Sequence, residues 1–481
     1  MRKAPIAEEI QYSEGVLSDE NLFDTLFSSE LLQQLFNERF LETAGKGLDR
    51  VNGRQFFDRS AEQFQLASKK CKSGKYFFTP YLELLRIKGR GKEPRVISIP
   101  TIRDRVILSQ LNRFLAAIYP ECVPKNTAST YIREIATNLA GSASGDVWVC
   151  STDIKVFYDS IQRDRLLKIL NDRIKSKSAM KLIERSLITP TVSKNSQRSA
   201  REGFKTEKGV PQGLSISNIL ASIYMQNVDK LMNEFVGVSY HRYVDDVLII
   251  GSSERVMKAY KSLLGRLKRR GLCLHSLSSP KTQMHSSRMQ FSYLGYVFSD
   301  GKITVRSSTV EAFIQSIAAQ FSDFKHNKKR KLTKFKYLTE DRLKEIFILE
   351  LNDRLTGAIR DKRRYGWIAY FNQINDLTLL HHLDGVIAGL FLRLEEFNCR
   401  PPDNLKKIRR AYWEMKFNVN GGYVRDYDKI ITVEEKIRFL GDRGRIDPNE
   451  QLSDGQINQR YLRYVLRNLA SMQVDEGINY G

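Results

Sequence analysis

The segment Arg242-Tyr-Val-Asp-Asp-Val-Leu-Ile-Ile250 constrains this chain more than any other. Two adjacent acids follow an aromatic and precede a β-branched apolar run. That pattern predicts a tight hairpin, with strands from Val236 to Tyr243 and from Val247 to Ile250. Side chains alternate faces along a strand, so Asp245 and Asp246 can share one site only where the backbone turns sharply. Holding like charges together is costly unless divalent cations neutralise them. Taken alone, the segment also fits an ordinary Asp-rich turn.

A second acid lies upstream, where the apolar strand Val147-Trp-Val-Cys-Ser-Thr-Asp153 gives way to a turn and a helix. Two-metal phosphoryl transfer needs carboxylates from separate elements that converge on cations ~3.5–4 Å apart. Asp153 and Asp245 supply such a pair, and Asp246 is a third, more peripheral acid. Asp159, six residues beyond Asp153, is expected to cap a helix or lie on the surface. Between the acidic strands lies Lys208-Gly-Val-Pro-Gln-Gly-Leu-Ser-Ile-Ser217. Gly209, Pro211 and Gly213 punctuate a loop, and Ser215 or Ser217 is expected to cap the apolar helix that follows. A glycine-bearing loop at a helix N-terminus lets backbone approach a nucleotide closely, and Gln212 offers both donors and acceptors.

In order, these segments resemble motifs A to E of reverse transcriptases: Asp153 with Phe157-Tyr158, Gly209–Ser217, Tyr243-Val-Asp-Asp246, Pro280-Lys281-Thr282 and Phe291–Tyr296. The stretch Arg86–Arg105 is similar to the fingers segment of bacterial members. The likeness covers roughly residues 75 to 300, with a less specific tail to about 395. It implies an α+β right-hand polymerase: fingers, a palm with an antiparallel sheet, and a helical thumb, followed by a helical C-terminal extension. The implied boundaries are an N-terminal helical extension at 1–75, interleaved fingers and palm at 76–300, a thumb-like region at 301–395 and the extension at 396–481.

The resemblance also implies roles. Asp153, Asp245 and Asp246, with the Ile154 carbonyl, would hold two Mg²⁺ ions, with Mn²⁺ as the alternative. Tyr158 matches the aromatic gate that excludes a ribose 2′-hydroxyl. Lys88 and Arg95 match the fingers cations that grip a triphosphate, and Gln212 and Gly213 complete the dNTP pocket. Lys281 matches the acid that protonates departing pyrophosphate. Tyr293, Leu294 and Gly295 would form the primer grip. For each basic residue the plain alternative is a solvated surface charge.

Composition agrees with a nucleic-acid enzyme. The 481 residues carry 78 Lys and Arg against 55 Asp and Glu, a formal net charge of +23. Such an excess attracts polyphosphate and makes binding salt-dependent. No run approaches the ~20 apolar residues of a membrane helix. The N-terminus has no apolar signal core, and Cys71, Cys122, Cys150, Cys273 and Cys399 make no Cys-x-x-Cys pair. A reduced cytoplasmic protein without structural zinc is the expectation. The six histidines make no metal-site spacing, and His381-His382 is expected to pack in an apolar helix.

Amphipathic helices are expected around Leu22–Leu35. Lys325–Lys336 holds seven cations in twelve residues, and its position just past the palm favours phosphate contact through Lys328, Lys329, Arg330 and Lys331. From Leu343 to Leu394 the pattern is helical, with Arg360, Lys362, Arg363 and Arg364 at helical spacing and Tyr365 and Trp367 in the core. Further helices are expected at Val433–Leu440 and Ile457–Met472. The bacterial-type fingers, compact size and extra C-terminal part resemble the defence-associated reverse transcriptases of bacteria. That likeness implies dNTPs, a DNA product and an RNA template, expected to be a dedicated noncoding RNA. A second copy or a second reverse transcriptase is the further partner considered. Retron-type and group II intron-type enzymes, and an RNA-binding maturase or scaffold on the same fold, are the alternatives.

Overall fold

The computed structural model describes residues 18–43, 45–87, 93–124, 127–141, 147–197, 203 and 206–476. The chain divides into two compact units, one of residues 1–125 and 148–284 and the other of residues 126–147 and 285–479.

In the first unit, β1 (Tyr81–Arg86) pairs antiparallel with β2 (Arg95–Ile99), from Leu82 opposite Ile99 to Arg86 opposite Arg95. Lys88 falls between them, outside the described residues. The central sheet contains β3 (Val147–Asp153), and β1 gains a short parallel partner in β4 (Thr191–Val192). The expected hairpin is present as β5 (Val238–Tyr243) and β6 (Asp246–Ser252), in register from Val238 opposite Gly251 to Tyr243 opposite Asp246. With β7 (Gln283–Ser286), which carries the chain out of this unit, the sheet order is β5-β6-β3-β7. Four consecutive residues of β6, Val247 to Ile250, are buried, so this strand is covered on both faces.

The N-terminal helices Asp19–Leu26 and Ser29–Leu35 start at Ser18 and Ser28, whose hydroxyls accept from Asn21 and Leu31 N–H. They belong to the same hydrophobic cluster as the helix Ile102–Ile118 and the strands below it. Phe23 meets Phe114 edge-on at 5.5 Å. Gln110 Nε2 donates to the Leu26 carbonyl at 2.6 Å.

The second unit opens its sheets with β8 (Phe291–Tyr293), β9 (Tyr296–Ser299) and β10 (Lys302–Val305), an antiparallel meander. The cationic tract is helical: Ser307–Lys334 is one 28-residue helix, whose apolar face ends at Phe321 and Phe324. Phe324 and Phe321 pack on Phe347 of the helix Glu340–Thr356. The run Arg360–Arg364 departs from the helical expectation. It forms a hairpin, β11 (Ala358–Arg360) and β12 (Arg363–Tyr365), with Asp361 and Lys362 both at positive φ. Asp428 fixes that turn by accepting from their amides at 2.8 and 3.0 Å. β13 (Arg425–Asp426) adds in parallel to β11. Trp367 is buried and stacked on Phe313, as expected of a core residue. His381 and His382 are exposed rather than packed, on the outer face of the helix Leu377–Leu390, and His381 Nε2 lies 3.0 Å from Arg409 Nη1. The two C-terminal helices are Val433–Asp442 and Asp454–Asp475, each opened by a capping box.

Candidate active site

Two turns bring the acids of the first unit together, and both are held in unfavourable backbone. Val244, at the tip of the β5–β6 hairpin, has φ 57°, and Val156, just past β3, has φ 45°. A β-branched residue in the left-handed region costs of order 1–3 kcal/mol and persists only where its surroundings impose it. At Val244 the imposing group is Arg242. Its Nη1 donates to the Val244 carbonyl at 2.7 Å, while its Nε donates to Asp229 Oδ1 at 2.8 Å. Asp229 also accepts from the Tyr240 hydroxyl at 3.0 Å. The hairpin tip is thereby tied to the helix Ser217–Asn233.

The two acidic elements are stitched directly. Ile154 N–H donates to the Asp245 carbonyl at 2.9 Å. Burial raises the Asp245 carboxyl above its ordinary pKa, and the charge of Asp153 adds to that, against the opposing pull of Arg95 and Lys281. Asp153 Oδ2 accepts from Lys281 Nζ at 2.9 Å and lies 3.4 Å from His275 Nε2. Burial lowers the His275 pKa, Asp153 opposes that shift and Lys281 reinforces it. Thr282 and Tyr260 hydroxyls donate to the His275 carbonyl at 2.8 and 3.1 Å, fixing this backbone against β3.

Tyr158 is the second residue of the helical turn Phe157–Ser160. Its hydroxyl donates to Asn218 Oδ1, and burial pushes its pKa upward. Arg95, the first residue of β2, lies close enough for its charge to act on both Tyr158 and Asp245. The loop at 209–213 lies against these elements. Gly209 and Gly213 have φ of 91° and 97°. A Cβ at Gly213 would sit 2.6 Å from Ile97 Cγ2, so only glycine lets the loop touch β2. The Gln212 carbonyl accepts from Ser98 N–H at 2.7 Å, and its side-chain amide donates to Asp159 Oδ2 at 3.2 Å. Arg163, nearly buried, anchors the loop from behind by donating to the Gly209 carbonyl at 2.7 Å. The expected serine cap is absent: Ser217 is itself the first helical residue, and its hydroxyl donates back to the Pro211 carbonyl at 2.5 Å.

Of the residues singled out from sequence, Asp153, Ile154, Asp245, Tyr158, Arg95 and Lys281 are linked by the contacts and charges above, and Asp246 is the first residue of β6. Gln212 and Gly213 line the adjoining loop. Tyr293, Leu294 and Gly295 belong to the second unit. There the Tyr293 and Leu294 side chains are buried, Leu294 and Gly295 turn with φ of 50° and 82°, and the Leu294 carbonyl accepts from Tyr370. In the cationic helix, Lys328 pairs with Glu396 at 3.1 Å and Lys331 with Asp323 at 2.6 Å, whereas Lys329 and Arg330 are exposed. Sequence reasoning missed His275, the Arg242–Asp229 clamp and Arg163. An Arg immediately before the hairpin aromatic is visible in the sequence, but its partner on a helix is not.

Among the described residues no group of three or more Asp, Glu, His or Cys side chains is already gathered into a closed metal cage. The donor set is nevertheless hard oxygen from aspartates, which suits Mg²⁺ or Mn²⁺ and not zinc. The raised Asp245 carboxyl fits an added cation, because such a charge would lower it.

Residues 87–298 match the family model described as reverse transcriptase (RNA-dependent DNA polymerase). The match covers less than half of the chain. The group II intron-encoded protein LtrA of Lactococcus lactis subsp. cremoris is 25% identical over 245 residues, covering 49% of this chain. The chain spans 37% of that relative's length. An uncharacterized 91 kDa protein in a cob intron of Schizosaccharomyces pombe is 31% identical over 177 residues, covering 34% of this chain and 20% of its own. Among solved structures, telomerase from Candida albicans in complex with a telomeric RNA fragment aligns at TM-score 0.43 and 13% identity, over 72% of this chain and 68% of its own.

Proposed function

We propose that the chain as a whole is an RNA-directed DNA polymerase that uses Asp153, Asp245 and Asp246 for metal-assisted nucleotidyl transfer. The observation that carries this reading is the backbone stitch that sets the partly buried Asp245 against the Asp153 turn, inside the segment that matches the reverse transcriptase family model. When bound, Mg²⁺ would activate a primer 3′-hydroxyl and offset charge on the transferring phosphoryl group. The residues of the chain do the rest. Arg242 holds the hairpin tip so that both of its acids face one site. Tyr158, pinned by Asn218, sets a wall against a ribose 2′-hydroxyl. Arg95 supplies charge for the triphosphate. Lys281 holds its proton on Asp153 and would carry it to the departing pyrophosphate. Gln212 and Gly213 shape the backbone wall of the dNTP pocket. Tyr293 to Gly295 serve the primer through the turn backbone, since the Tyr293 and Leu294 side chains are core and Gly295 has none. Lys329 and Arg330 are the cations of the basic helix that serve the template, and neutralising both should flatten the log–log salt slope of RNA binding by about 1–2 units.

Primer extension by the full chain tests this reading. It should incorporate dNTPs on an RNA template with Mg²⁺ and stop when EDTA is added. The double variant D153N/D245N should lose at least about 10³-fold in rate. Tyr158→Ala should raise the rNTP/dNTP ratio of kcat/KM while keeping dNTP use. Parent-rate incorporation by D153N/D245N would sink the proposal.

For the template we propose a dedicated noncoding RNA in bacterial antiphage defence, a reading supported by the bacterial-type fingers and the helical part beyond residue 396. The likeness to LtrA favours the second reading, an intron-type enzyme. Sequencing the RNA and DNA that co-purify with the chain separates them: one recurrent noncoding RNA with its cDNA supports the first, intron RNA the second.

A further inference from the structure

The helix Ile408–Phe417, far past the matched segment, has two unlike faces. Ile408, Ala411, Tyr412 and Met415 are buried in the second unit. The opposite face carries Arg409, Trp413 and Phe417 at i, i+4 spacing. Trp413 is 58% exposed and Phe417 61%, with ring centroids 4.5 Å apart. Large aromatics dominate burial energetics, so two adjacent rings left in solvent call for a partner.

The surrounding charge says what kind of partner. Residues 400–417 carry six Lys and Arg against Asp403 and Glu414, a net of +4. Lys416 Nζ lies 5.6 Å from the Phe417 ring, and Arg409 is exposed at the other end of the stripe. The neighbouring Tyr423 ring is flanked by Lys406 Nζ at 4.9 Å and the Arg410 guanidinium at 4.5 Å. A second copy docked on this face would set cations against cations. The apolar side chains that a membrane anchor needs are turned inward. Rings interleaved with cations are the chemistry of unpaired nucleotides: bases stack on the aromatics while phosphates meet the cations.

We propose that Trp413 and Phe417 form a stacking platform for single-stranded nucleic acid, separate from the catalytic acids. Each stacked base accounts for roughly 5- to 150-fold in affinity. The site takes unpaired bases of any sequence, because every base has a stacking face, and it has no use for a duplex, whose bases are already stacked.

The test uses the full chain with its catalytic cleft saturated by a preformed primer–template, and a short unstructured oligouridylate as probe. Oligouridylate should quench the indole emission of Trp413, and W413A should abolish that quenching. W413A/F417A should lower oligouridylate affinity on the order of tenfold or more. W413F should retain most of it. Affinity for an RNA duplex, thermal stability and extension from the saturating primer–template should stay at parent values. Unchanged oligouridylate affinity in W413A/F417A overturns the proposal, whether or not the variant also loses self-association by light scattering or binding to anionic vesicles. An equal loss on single strand and duplex overturns it too. Failure of primer extension in the parent would strike the catalytic reading and leave this one standing.

Discussion

Asp353 is buried in the second unit and Asp245 only partly in the first, and the two are treated in opposite ways. Asp353, 2% exposed, receives Arg443 Nη2 at 2.6 Å, and that arginine is equally buried. Arg425 stands 3.5 Å from the other oxygen, and Arg443 Nε donates to the Tyr464 hydroxyl at 3.0 Å. The charge is answered inside the protein, and the Arg443 pKa is driven upward. Asp245 instead sits beside another acid, with burial raising its carboxyl. The charges of Arg95 and Lys281 act on it, and Lys281, half exposed, bonds to Asp153. A buried acid matched by a fixed guanidinium holds a fold together. One set beside a second acid, on a strained turn, is a place for a cation from outside.

The comparison can be broken most forcefully at Asp353. Asp353→Asn leaves Arg443 buried without its counter-charge, and the second unit should lose about 3–5 kcal/mol of stability. Urea unfolding followed by hydrogen exchange in Asp454–Asp475 measures it; a loss below about 1 kcal/mol would place this pair among dispensable ion pairs.

A smaller effect is expected within the acidic hairpin. His241 on β5 is buried, its Nε2 2.9 Å from Ser239 Oγ, and burial lowers its pKa from 6.5 to about 4. The folded protein keeps it neutral, whereas the unfolded chain takes up a proton as pH falls through 6.5. Stability is therefore retained above pH 6.5 and lost progressively toward pH 4, by about 2–4 kcal/mol from this group. His241→Gln should flatten stability across that window. An unchanged slope would show that the carboxylates alone set it.

Smaller still is the clamp. Arg242→Lys cannot make both the Asp229 and the Val244 contacts, so the tip should relax out of its left-handed conformation. The apparent Mg²⁺ requirement for incorporation should rise about tenfold, with kcat largely restored at saturating Mg²⁺. A fall in kcat at every Mg²⁺ level would assign Arg242 to substrate rather than to the turn.

Much of the first unit was legible because its signals are local. The hairpin is written in a β-branched run around two acids, the Asp153 strand in an apolar run, and the 209–213 loop in glycines that β2 then requires. What escaped depends on partners distant in sequence. Arg360–Arg364 reads as helix because cations carry no period, but Asp428 caps a two-residue turn there. Lys328 and Lys331 look free in the sequence until Glu396 and Asp323 meet them. His275 shows no motif, and only the fold sets it against Asp153.

The most direct test measures incorporation and thermal stability together for the parent, Asp245→Asn and Asp353→Asn. The account predicts that Asp245→Asn loses RNA-templated dNTP incorporation by at least about 10³-fold while its Tm without divalent cations holds or rises, since one of two neighbouring like charges is gone. Asp353→Asn should show a lowered Tm. Incorporation near the parent rate by Asp245→Asn, or a Tm loss as large as that of Asp353→Asn, would contradict the claim that the first cluster is built for catalysis and the second for stability.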